Sequence, residues 1–185
     1  LEVGGSVNAR STNRFTPLLF AAQQGNIDAA RLLLAAGADV NESAPDGIGG
    51  NTNARTRFVA DTDAAALLVA IDSEHPEMAL FLLDRGADPN RAGAGRTALH
   101  AAVQRHMPNV VAALVARGAD PNTANDYGIV PLYLACTNRN ATVVEKLLVG
   151  GADPNAATSM GETALMTCAR TGSADALAAL FEHGA

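Results

Sequence analysis

The sequence has no tryptophan, two tyrosines, five phenylalanines and, in 185 residues, a single lysine, Lys146. It has two cysteines and four histidines. Each shortage narrows what the chain can do. Two cysteines cannot form a disulfide framework, and their number does not fix a redox compartment. The net charge of −6 lacks the cation excess of a nucleic-acid binder, so nucleic acid is not an expected partner. No apolar run approaches the ~20 residues of a membrane span, so no membrane partner is expected either. The first residues, Leu1-Glu2-Val3-Gly4, show no initiator Met and no signal-peptide apolar stretch, and are expected to open a mature or cut piece. With no address in the sequence, the cytoplasm is the default compartment and the periplasm stays open.

What the chain has in plenty is alanine, about a fifth of all residues, within an apolar share of 48%. That share supports a core and argues against disorder. Small side chains let backbones pack closely.

A repeat organises this material. Gly-Ala-Asp-(Val/Pro)-Asn begins at Gly37, Gly86, Gly118 and Gly151, with spacings of 49, 32 and 33. A weaker copy begins at Gly4, and Gly184-Ala185 falls 33 after Gly151. A second element begins at Thr16, Ala65, Thr97, Val130 and Thr163, always 21 residues before a repeat glycine. Within one copy, Thr16 suits an N-cap and Pro17 a first helical position. Leu18, Ala21 and Ala22 share one face of a short helix, and Gly25-Asn26 breaks it. A second helix is expected over about Ile27 to Ala36, ended by Gly37. Asp39 and Asn41 close the turn that follows. One such helix pair cannot bury its own apolar face, so neighbouring pairs must stack. Leu99 and Leu132 are expected in that core.

These residues make the chain resemble an ankyrin repeat array, through the 33-residue period and the T-P-L-H-x-A and G-A-D-x-N signatures. The resemblance covers nearly all of the chain outside about 42–63. It implies an all-α ankyrin-repeat solenoid of about five helix-turn-helix units with short β-type turns and one inserted loop. Residues 1–13 are the tail of a preceding repeat, 14–41 repeat one, 42–62 the insertion, 63–90 repeat two, 91–122 repeat three, 123–155 repeat four and 156–185 a truncated repeat five. Both ends are expected to be internal to a longer protein and to expose apolar surface, which favours some self-association. The alanine- and arginine-rich style resembles bacterial arrays. Repeat two departs from the pattern by losing its Thr-Pro start, and repeat three is one residue short in its turn. The insertion, which includes Gly47-Ile48-Gly49-Gly50, is expected at a projecting turn.

No chemistry stands out. His100 lies in the T-A-L-H signature, where the resemblance implies a structural hydrogen bond between neighbouring turns. His75 and His106 fall at the break between paired helices and are expected on the surface. No histidine shares metal-binding spacing with Cys, Asp or Glu, and no cofactor is expected. Cys136 and Cys168 lie 32 apart in the first helices of repeats four and five. Stacked helices run about 8–10 Å apart, beyond the Cα separation a disulfide accepts. Two small buried thiols are therefore expected, with no partner that would activate them. The glycine run at 47–50 lacks the Lys and Ser/Thr of a phosphate loop. Asp28, Glu77, Glu145 and Asp175 start or flank second helices, where they suit the positive end of the helix dipole.

The resemblance places partner contacts at the turn tips and along the concave side of the first helices. Carried over residue by residue, the tips hold Arg10, Asn13, Phe15, Arg91, Arg96, Asp126, Tyr127 and Met160. The first-helix ends hold Gln24, Arg105, Asn138 and Arg170, and the insertion adds Arg55, Arg57 and Phe58. Arginine and aromatic residues are the types enriched at binding hot spots. The function this implies is a non-enzymatic scaffold for another protein, one with an acidic segment and an apolar anchor. Two alternatives differ in class: a regulatory module of a larger enzyme whose catalytic domain lies elsewhere, or a small-molecule site at the insertion.

Overall fold

The computed structural model describes residues 6–12, 14–43, 65–93 and 95–185. The chain divides into two compact bodies, Leu1–Ala94 and Gly95–Ala185. In the first body, α1 (Pro17–Gln23) pairs with α2 (Ile27–Ala35), and α3 (Ala66–Asp72) with α4 (Pro76–Asp84), with α1 lying against α3. In the second, α5 (Ala98–Gln104) pairs with α6 (Pro108–Ala116), α7 (Pro131–Thr137) with α8 (Ala141–Val149), and α9 (Ala164–Thr171) with α10 (Ala174–Glu182). The first helices α5, α7 and α9 pack in succession, and so do the second helices α6, α8 and α10. Among the described residues, strand pairing is confined to two-residue strands, Ala92–Gly93 and Arg96–Thr97, and to single bridges.

Local chemistry explains where the helices start. Thr16, Thr97 and Thr163 sit in extended backbone and accept the amide N–H of Leu19, His100 and Met166 on their side chains, which satisfies one of the donors left open by a helix start. Ala65 and Val130 hold the same place before α3 and α7 without a side-chain bond. Asn26 and Asn140 cap two of the second helices. Asp28, Glu77 and Asp175 lie in first turns. Glu145 does not. It lies inside α8, 3.8 Å from His183, because α8 already begins at Ala141.

The core runs through the inner faces of the pairs. Leu99 and Leu132 are buried in it, as are the alanines Ala22, Ala70, Ala102 and Ala135 of the first helices. Alanine at these places lets neighbouring helices approach closely. One expectation fails here. Cys136 and Cys168 are not free thiols but form a disulfide, with a Cα–Cα distance of 4.7 Å. The spacing between helix axes was the wrong measure. Facing Cα atoms each stand about 2.3 Å off their axis toward the other helix, so axes about 8–10 Å apart leave only about 3.4–5.4 Å between them.

The turns between repeats are closed by the Gly-Ala-Asp-x-Asn segment. Asp39, Asp88, Asp120 and Asp153 each accept the amide N–H two residues on, at 2.9 Å. The asparagine then reaches the next repeat. Asn41 Oδ1 accepts from Asp88 N–H and its Nδ2 donates to Gly86 O. Asn122 repeats the pattern with Asp153 N–H and Gly151 O, at 2.8 and 3.0 Å, and Asn155 Nδ2 donates to Gly184 O. Ser43 and Ala65 form an antiparallel bridge, so the insertion leaves and rejoins the fold at the stem of a tip. Gly47 to Gly50 lie outside the described residues.

Candidate functional site

Three of the described tips are small hairpins built the same way. Ser11, Asn125 and Thr158 donate their amide N–H to the carbonyls of Phe15, Ile129 and Glu162, and accept from Arg14, Gly128 and Gly161. The residue before the closing position has positive φ in all three, at Arg14, Gly128 and Gly161. The side chains of Ser11, Asn125 and Thr158 also accept the closing amide N–H. The apex is thereby rigid, and its middle residue in the Asn125 and Thr158 tips points outward. That place is occupied by Tyr127 and Met160, which are 85% and 88% exposed.

Below the tips, side-chain bonds tie α5 and α7 to the repeat that follows. His100 is fully buried. Its Nδ1 accepts from the Thr97 hydroxyl at 2.8 Å, and its Nε2–H donates to Ile129 O at 2.8 Å. Thr97 N–H also points at Nδ1, which selects the neutral tautomer with the proton on Nε2. Burial holds the His100 pKa below its ordinary value, against the opposing bond to Ile129 O and with help from the charge of Arg96. One repeat on, the same two places hold Tyr133 and Glu162. The Tyr133 hydroxyl donates to Glu162 Oε2 at 2.7 Å, and Arg170 Nη1 donates to Oε1 at 2.8 Å. The Tyr133 bond, followed by that of Arg170, keeps the Glu162 carboxyl below its usual range. Tyr133 escaped notice in the sequence. The signal was its alignment with His100, which marks a side chain that must find a partner in the following repeat.

The remaining expected contacts fall in varied surroundings. Phe15 is corrected: it is 7% exposed and packs on Phe20 with ring centroids 5.2 Å apart, so it belongs to the core. Its register aligns with Ile129 and Glu162 at the stem, not with the apex. His75 is also corrected. It is partly buried and donates through Nε2 to Gln23 O at 3.1 Å, joining α1 to α4. His106 is exposed, with positive φ. In the first body, Arg10 pairs with Glu42 at 2.6 Å, Arg91 donates to Ser43 Oγ at 2.8 Å, and Gln24 is exposed. In the second, Arg96 donates to Gln104 Oε1, Asn138 Nδ2 donates to Val103 O, and Arg105 is half-buried. Asp126 is exposed and its carboxylate lies over Gly95, leaving no room for a side chain there. Asn13, Arg55, Arg57 and Phe58 lie outside the described residues.

No group of three or more His, Cys, Asp or Glu among the described residues could hold a metal ion, and none of their helices is long and apolar enough to cross a membrane. Repeated helix pairs, stacked on one another and tipped by hairpins, define an all-α repeat protein. The family description "Ankyrin repeats (3 copies)" matches residues 48–125 and 99–185, and "Ankyrin repeat" matches residues 13–44. The chain belongs to the ankyrin repeat family, whose members are in general protein-interaction modules and typically not catalysts. A comparison with curated proteins finds no match.

Proposed function

We propose that this chain is a non-enzymatic scaffold that captures another protein through its hairpin tips and the adjoining ends of its first helices. The observation that carries this reading is the pair Tyr127 and Met160. They are large, apolar, almost fully exposed and at the same register of neighbouring tips. Such residues on a rigid backbone offer contact area at low entropic cost. The partner presents an apolar anchor to them. Its acidic segment faces arginines of the tips and first-helix ends, Arg105 among them. Arg10 and Arg170 contribute less charge than the sequence suggests, since each is already paired with a carboxylate. The test is affinity capture from an extract, followed by titration of the recovered partner. Tyr127→Ala with Met160→Ala should weaken binding by about 30-fold, the scale of a hot-spot loss. Charge reversal at Arg91 and Arg96 should weaken it most at low salt. Full affinity in the Tyr127 and Met160 double variant would remove the reading.

A further inference from the structure

The second body contains one covalent link that the repeat pattern does not call for. The place of Cys136 is held by Ala22, Ile71 and Val103 in α1, α3 and α5, and the place of Cys168 by Ala70, Ala102 and Ala135 in α3, α5 and α7. All of these residues, cysteines included, are fully buried. Apolar packing thus suffices at this place in the other repeats, and sulfur chemistry replaces it only between α7 and α9. The Cys136–Cys168 spacing is 32 where the repeat there is 33. That one-residue offset rotates the two side chains by about 100° relative to each other, so one faces forward along the stack and the other back. The Thr171 hydroxyl lies 3.1 Å from Cys136 O and 3.2 Å from Cys168 O, which holds the two helix ends together beside the bond.

We propose that Cys136–Cys168 is a permanent staple between the fourth and fifth helix pairs and not a redox switch. A switch needs a sulfur that a reductant thiolate can reach. Here both sulfurs lie on the buried seam of two packed helices, so attack waits for the helices to part. The same geometry sets when the bond forms. A disulfide oxidant such as oxidised glutathione reaches the cysteines only before the pairs close. One protein thiolate attacks it to give a mixed disulfide and one glutathione. The second thiolate then displaces the other glutathione. Two electrons and two protons end on the two released thiols.

The test uses the full chain, unfolded in guanidinium with reductant and then refolded in a glutathione buffer. Thiols are counted after a second unfolding. The staple predicts none. Dithiothreitol should then reduce the native protein about 100-fold more slowly than the unfolded one, since opening of packed helices gates access. The reduced chain should unfold at a lower denaturant midpoint, and the Cys136→Ala, Cys168→Ala double variant should match it. Two thiols after oxidative refolding would overturn the proposal. So would reduction equally fast in the native and unfolded states, or a midpoint unmoved by reduction measured on the wild-type chain itself.

Discussion

His100 shows how one side chain converts a sequence signature into a tie between repeats. All of its hydrogen-bonding capacity is used in the neutral form: Nδ1 faces two donors of Thr97, and Nε2–H faces Ile129 O. A second proton would set Nδ1–H against those donors. Folding therefore holds the His100 pKa down, chiefly through burial, while the unfolded chain takes up its proton near pH 6.5. Below that pH the unfolded state binds more protons, so stability falls as the solution is acidified. Urea melts at pH 7 and pH 5 should show a lower midpoint at pH 5, and His100→Leu should flatten the difference. The role of His100 was legible from its motif. That of Phe15 was not, because whether a residue beside a tip points outward or inward depends on one register step.

At the scale of the element, each helix pair turns through a single residue with positive φ. Among the described residues, the five breaks hold Gly25, Glu74, His106, Arg139 and Gly172, all with φ between 54° and 74°. Glycine adopts this conformation freely, whereas a residue with Cβ pays about 1–2 kcal/mol for it. Arg139 is exposed, so little packing is lost when its side chain is removed. Arg139→Gly should raise stability by about 0.5–1 kcal/mol after the extra chain entropy of glycine is deducted, measured by equilibrium denaturation. The break at Gly25-Asn26 and the bounds of the second helix followed closely from periodicity and capping residues. The expected second helix over about 27–36 is found at Ile27–Ala35. The disulfide did not follow, since a separation in sequence says nothing about which way two side chains turn on their helices.

At the scale of the whole molecule, stability is a sum of repeat terms and the contacts between neighbouring repeats. Asn122 carries one of those contacts through two hydrogen bonds, to Asp153 N–H and Gly151 O. Asn122→Ala should cost about 1–3 kcal/mol, two modest hydrogen bonds, and should lower the cooperativity of unfolding within the second body. The check is to follow unfolding at both ends of that body; transitions that stay coincident and unshifted would refute it.

The repeat period, the caps and the alternation of apolar residues were enough by themselves to determine a stack of helix pairs. Those signals are local, and each is enforced by backbone geometry over a few residues. Only the tertiary structure decided which side chains cross from one repeat to the next: Asn122 to Gly151, Tyr133 to Glu162, Cys136 to Cys168. Such pairings depend on the rotation and close approach of neighbouring helices, distances that no single stretch of sequence contains.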